Sequence, residues 1–294
     1  MRFFLALLVD GGLAGTVYAL VALAFVIVYK ASRVINFSLG EWVMLGARLT
    51  AVGLHQLAWG LGGAAGGACA GMVGFAVVWN RIVLHRLVGK PLIALIMVTL
   101  GLGMVMRGGS ALAFRGVPGT IPLPLAVEPL DVWGIAIPTT KLLAAGVAIV
   151  VIAAVTWFFQ RSRIGLAMRA VADDQEAAMA AGIDLDRYFS ITWALAGVVS
   201  VLGGILWTAA SGGGFGLVLL GLRVFPIVVI GGLDSLPGCI VGAMAIAILE
   251  SLAGGYLDPI VGAGFSSVTS YLALIVMLYA RPTGMFGQPV LERV

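Results

Sequence analysis

The sequence predicts an all-α, polytopic transmembrane helical bundle of about eight to ten spans, some of them broken or half-helices. Three observations predict it. Hydrophobic residues make up 61% of the 294 positions and charged residues only 10%, against about 25% charged in soluble domains. Apolar runs close to the ~20 residues that cross a bilayer as a helix take up most of the length. Two stretches, one in each half, set a polar turn between apolar pieces, a pattern shared by transport pathways and by ordinary short loops at the membrane edge. A single membrane domain over residues 1–294 accounts for the chain.

The first span is expected over residues 3–28, interrupted near its start by Asp10-Gly11-Gly12. Arg2 and the apolar Phe3–Val9 imitate a signal peptide, but the apolar run resumes past Asp10 with no convincing cleavage site. Gly11 and Gly15 form a small-xxx-small pair for close helix contact. Residues 34–41 then lead into a short apolar piece ending near Leu54. A third helix, 57–79, carries Gly62, Gly63, Gly66, Gly67 and Gly71, which predicts a bare, tightly packed face. A basic loop with Arg81, Arg86 and Lys90 precedes a fourth helix, 92–114, with Arg107 inside it.

Residues 115–140 hold Pro118, Pro122, Pro124, Pro129 and Pro138 and read as an extended external loop. A fifth helix is expected over 141–159 and a sixth over 188–208, with the charged loop 160–188 between them. Beyond Ser211-Gly-Gly-Gly214, residues 217–233 form an apolar stretch broken by Arg223 and Pro226. A turn at 231–238 leads to a helix ending near Ala253, and a last helix covers 266–280.

Charge sets the orientation. Lys30, Arg33, Arg81, Arg86, Lys90, Arg161, Arg163, Arg169, Arg187, Arg281 and Arg293 fall on one side, eleven of the seventeen Lys and Arg. By the positive-inside rule that side is cytoplasmic, so the N-terminus is outside, the C-terminus inside and the proline loop external. The net charge of +4 is thus a topological signal, and no nucleic-acid partner is expected. Cys69 and Cys239 sit in apolar runs as small hydrophobes, and His55 and His85 stand alone, so no metal site is suggested. No P-loop, HExxH, CxxC or GxSxG pattern occurs, so neither ATP binding by this chain nor enzymatic activity is expected.

Within 160–188, Asp173 followed by Glu176 reads as a capping box, and Gly182 as the left-handed stop of a short helix with an alanine surface. A solvated loop helix and a docking knob are both consistent with that pattern. Glu176-Ala177-Ala178, three more residues, then Gly182 resembles the EAA loop by which ABC importer permeases engage their ATPases. The wider string from Arg163-Ile-Gly-Leu-Ala-Met-Arg-Ala to Gly182-Ile183 is similar to the branched-chain amino acid permease family of the LivH/LivM type. Ile35-Asn36-Phe37-Ser38-Leu39-Gly40-Glu41 resembles that family's INFAHGE-type segment, with Ser38-Leu39 in place of Ala-His. Gly231–Gly238 resembles its GGxGSLPGAxxG turn, with Asp234 replacing a small residue.

The resemblance spans nearly the whole chain and implies the permease subunit of an ABC importer in the inner membrane, moving branched-chain amino acids or related small polar solutes. It implies a second permease of similar type, two cytoplasmic ATPases that bind the ATP, an external solute-binding protein, and lipid around the bundle. No cofactor on this chain is implied. Asp173, Glu176, Ala177, Ala178 and Gly182 become candidates for ATPase coupling; Asn36, Phe37, Ser38, Gly40, Glu41, Arg107, Gly232 and Glu250 become candidates for the solute pathway. Arg107 and Glu250 are expected deepest in the membrane, where an ion pair or a snorkelling end explains a charge as well as a solute contact does. The rival reading is a stand-alone secondary transporter or channel, which needs no docking helix.

Overall fold

A helix apolar on every side belongs at the centre of a bundle, and α1 (Arg2–Ser32) occupies that place. Every residue from Val17 to Val28 is buried. In the computed structural model, which describes residues 1–87, 91–123, 128–132 and 134–287, Asp10-Gly11-Gly12 does not interrupt this helix. The glycines are contact points instead. A Cβ at Gly11 would lie 2.8 Å from Ile248 Cα, and one at Gly15 2.9 Å from Met244 Sδ, both on α10 (Leu236–Tyr256). Lys90, Pro124 and Arg293 lie outside the described residues.

α2 (Leu39–His55) and α8 (Leu185–Ser211) complete the interior. Trp42 of α2 meets Trp193 of α8 at 5.4 Å, and Gly46 and Gly204 let the two backbones approach closely. α3 (Leu61–Ile82), α4 (Leu92–Ala113) and α5 (Thr139–Arg161) are peripheral and mostly exposed on their outer sides. The tight glycine face expected on α3 is packed only in part, with Gly63 and Gly67 against Trp59 and Gly71 against Leu49. Gly62, Gly66 and Gly74 face open space. Glycine spacing reports what a face permits, and among the described residues only part of that face is filled.

The proline segment is mostly irregular, as expected, but it ends in an antiparallel hairpin of β1 (Leu130–Val132) and β2 (Ile135–Ile137). It also folds back onto the bundle. Arg48 donates to Val117 O at 2.9 Å, with its guanidinium 4.3 Å from the Phe215 ring, and His55 Nε2 bonds Thr120 O at 2.9 Å.

In the charged loop lie α6 (Arg163–Asp173) and α7 (Gln175–Ala180). The second half adds α9 (Val218–Gly231), α10, α11 (Asp258–Val261) and α12 (Phe265–Ala280). Contrary to expectation, α9 runs unbroken through Arg223 and Pro226. Pro226 has no N–H for the Leu222 carbonyl, and the Tyr271 hydroxyl of α12 donates to that oxygen at 3.1 Å. Six helices (α1, α3, α4, α5, α8, α10) are long and apolar enough to cross a membrane. Two shorter apolar helices, α9 and α12, bring the apolar helices among the described residues to eight, and the 17-residue α2 packs inside them.

Candidate functional site

Three places in this bundle carry polar chemistry. The first is the connection between α1 and α2. α1 ends at Arg33, a non-glycine residue in the left-handed region at φ 56°, whose N–H bonds Tyr29 O. Residues 34–38 are not helical, which is the unwound backbone expected there. Asn36 is buried, and its Oδ1 accepts from both Ser38 N (3.0 Å) and Ser38 Oγ (2.7 Å). Trp42 Nε1 donates to the same Ser38 Oγ at 3.2 Å. A side-chain turn thus replaces the missing helical bonds and starts α2. The segment seats on α9: Phe37 meets the Phe225 ring at 5.4 Å, and a Cβ on Gly40 would strike Val218 O.

Glu41 and Arg107 form an ion pair at 2.6 Å. Gly103 makes room for the carboxylate, since a Cβ there would stand 3.1 Å from Glu41 Cδ. Arg107 is not deep in the chain: its side chain is 56% exposed, against 7% for Glu41. α4 is a peripheral helix, so its arginine reaches inward from the rim. The structure therefore joins Asn36, Phe37, Ser38, Gly40, Glu41 and Arg107 in one region. Gly232 is elsewhere, against the Gly287 backbone.

The second place surrounds Glu250, and sequence reasoning read only part of it. Glu250 Oε2 accepts from the Tyr18 hydroxyl at 2.8 Å. Arg223 Nη1 donates to the same hydroxyl at 3.2 Å, and Arg223 Nη2 to Ser267 Oγ at 3.0 Å. Tyr18 stacks on Trp207, ring centroids 5.2 Å apart. A cavity of about 180 Å³ opens beside this cluster between α1, α9, α10 and α12. At its rim Lys141 Nζ pairs with Asp10 Oδ1 at 2.5 Å. The half-buried Asp258 accepts from Ser266 N (2.8 Å) and Ser266 Oγ (3.0 Å), which holds its carboxyl below the usual carboxylate range. The signal for Tyr18 was slight: one phenol in an otherwise apolar run, and buried phenols need a partner.

The third place is the charged loop. The cap of the short helix is Asp174, not Asp173. α6 stays helical through Asp173, and Asp174, in extended conformation, accepts from Glu176 N (2.9 Å) and Ala177 N (3.0 Å). Glu176 therefore sits one position too early to return the bond of a capping box. The stop is as expected. Gly182 is left-handed at φ 83°, Gly182 N bonds Met179 O (2.9 Å) and Ile183 N bonds Ala178 O (3.0 Å), a Schellman arrangement. Ala178 faces inward onto Val171 and Phe189, whereas Glu176, Ala177 and Met179 are exposed. The loop also touches the first place, because Arg33 Nη2 donates to Ala172 O in the last turn of α6 at 3.3 Å.

Comparison with known proteins gives a consistent answer. Residues 7–280 match the family model described as branched-chain amino acid transport system / permease component. The chain is similar to the high-affinity branched-chain amino acid transport system permease protein LivH of Escherichia coli K12, at 29% identity over 99% of this chain and 98% of that one. It is 27% identical to the corresponding BraD protein of Pseudomonas aeruginosa, with the same coverage. The solved structure of PsaBC from Streptococcus pneumoniae in complex with Fab overlays with a TM-score of 0.49 at 17% identity, covering 93% of this chain and 91% of that one.

Proposed function

The chain belongs to the family of permease components of branched-chain amino acid transport systems, and on that premise we propose that it is the membrane subunit of an ABC importer that moves branched-chain amino acids or related small polar solutes inward. It works with a second permease of similar type, two cytoplasmic ATPases on which ATP is bound and hydrolysed, and an external solute-binding protein. Its N-terminus is outside and its C-terminus cytoplasmic, the orientation that the Lys and Arg distribution favours. The chain itself binds no cofactor. Solute passes by the Asn36–Glu41 region and Arg107, and by Glu250.

The observation that carries this reading is the geometry of α7. A helix of six residues is marginal by itself. This one is fixed by the Asp174 cap, the Gly182 stop and a buried footing at Ala178, while Glu176 and Ala177 face outward. A short rigid body on the cytoplasmic side suits the transfer of motion from an ATPase into α6 and α8. Asp173, as the end of α6, takes part only by placing Asp174.

The test is reconstitution of the whole importer in proteoliposomes. Leucine uptake should require both ATP and the binding protein. Gly182→Val forces a β-branched residue into the left-handed region, and should abolish ATPase co-purification or solute-stimulated hydrolysis; Glu176→Ala should weaken it. In intact cells a cysteine at Gln175 should be shielded from an impermeant thiol reagent that labels one at Gly119. Uptake driven by an ion gradient without ATP would overturn the assignment, and normal coupling in Gly182→Val would remove α7 from it.

A further inference from the structure

Charges inside membrane helices are costly and face a partner or a cavity. Here one helix supplies each component of a cluster: Tyr18 from α1, Arg223 from α9, Glu250 from α10 and Ser267 from α12. A cluster serving only stability would bring the two charges together, because Coulomb attraction falls with distance. Here the phenol joins them instead of a direct ion pair. Each charge is thereby held in place with capacity left over.

The surplus is specific. Glu250 is 9% exposed, and its Oε1 is buried without a hydrogen-bond partner. The Ser270 hydroxyl donates to Ser267 O at 3.1 Å and also stands within reach of the Glu250 carboxylate. Arg223 directs one N–H to Tyr18 and one to Ser267, out of the five a guanidinium carries. Both groups line the cavity of about 180 Å³, whose remaining wall includes Gly11, Ala14 and Ala247. Glu250 and Arg223 thus border one small cleft together with Gly11, Ala14 and Ala247 and the polar Asp10, Ser251 and Ser266. A simple cation meets the repulsion of Arg223, and a simple anion that of Glu250. A zwitterion satisfies both.

We propose that this cleft binds the charged end of an α-amino acid, the carboxylate on Arg223 and the ammonium on Glu250, with Tyr18 setting their separation and the side chain lying over Gly11, Ala14 and Ala247. The proposal rests on the reading of the chain as a permease for small solutes and names the chemistry that one site selects.

The assembled importer in nanodiscs, without binding protein, tests it by equilibrium binding of three probes: leucine, isoamylamine (ammonium only) and 4-methylpentanoate (carboxylate only). Wild type should prefer leucine. Arg223→Gln and Glu250→Gln should each lose about tenfold or more of leucine affinity, as expected when a charged hydrogen bond is removed. The ranking of the other probes should invert between them. Arg223→Gln should gain isoamylamine binding relative to leucine, and Glu250→Gln should gain 4-methylpentanoate binding. Tyr18→Phe keeps both charges and should weaken leucine a few-fold without inverting anything. If Arg223→Gln does not assemble, Arg223→Lys, which keeps the charge but not the fork, should show the leucine loss alone.

Absent leucine binding in wild type, or a parallel loss of all three probes in every variant, overturns the proposal. Uptake of leucine in proteoliposomes is measured alongside. ATP-dependent uptake with unaltered leucine affinity in both charge variants removes the cleft and leaves the transport function standing. Uptake driven without ATP removes the importer assignment itself, whatever the probes show.

Discussion

The turn after α1 and the turn after α9 look alike in sequence, each a polar break followed by a new helix in its own half of the chain. In both a side-chain oxygen accepts a backbone N–H, Ser235 Oγ from Gly238 N at 3.1 Å in the second, but they differ in what chiefly holds them. The first, residues 33–38, rests on side chains: the Asn36–Ser38–Trp42 bonds, the Phe37–Phe225 ring contact and the left-handed Arg33. The second, residues 232–235, rests chiefly on backbone. A Cβ on Gly231 would strike Gly238 O, and one on Gly238 would strike Gly231 O. The C-terminal segment clasps it, with Met285 N donating to Ile230 O (2.8 Å) and Phe286 N to Gly231 O (3.2 Å). A turn built from side chains can be tuned to a solute and can move. A turn built from glycine backbones is a joint. In the second half the polar chemistry lies on the helices around that joint, at Arg223 and Glu250.

The largest effect expected from this contrast is at the joint. Gly238→Val places a side chain where only backbone fits, and neither carbonyl can withdraw without breaking the end of α9 or the start of α10. The cost exceeds the ~1–3 kcal/mol of ordinary overpacking. Detergent-solubilised protein should be lost from the monodisperse peak in size-exclusion chromatography. Recovery at wild-type yield would show that the second turn is as adaptable as the first.

Asn36→Leu should act on function instead. It removes the acceptor that orders Ser38 and leaves a buried N–H unpaired, a penalty of about 1–3 kcal/mol. That loosens the start of α2 without unfolding the bundle. Uptake should fall about tenfold or more, with assembly and basal ATP hydrolysis retained. Wild-type uptake would make the first turn an ordinary connection and erase the distinction.

What the sequence disclosed follows the same division. Spans were readable because apolar length is a local property, and Gly182 because a left-handed stop is written in one residue. Pro226 was misread as a break because its remedy, the Tyr271 hydroxyl, comes from another helix. The cap was misplaced by one residue because Asp173 and Asp174 are chemically identical and only the extent of α6 decides between them. Tyr18 and Ser267 were missed because their roles exist only where α1, α9, α10 and α12 converge.

The smallest expected effect lies at Arg33, and it separates backbone from side chain within the first turn. Arg33 does two things: it holds a left-handed conformation that costs an L-residue roughly 1–2 kcal/mol, and it reaches from the end of α1 to Ala172 O at the end of α6. Arg33→Gly removes both the strain and the reach, whereas Arg33→Ala removes the reach alone. The glycine variant should therefore be at least as heat-stable as wild type, and the alanine variant slightly less so. Both should lose coupling equally, read as solute moved per ATP hydrolysed, by a few-fold at most because an exposed hydrogen bond is worth about 1 kcal/mol. If the glycine variant alone loses coupling, the left-handed residue itself transmits the motion. If neither does, the contact with Ala172 is incidental, and the first turn is linked to the ATPase side only through α1.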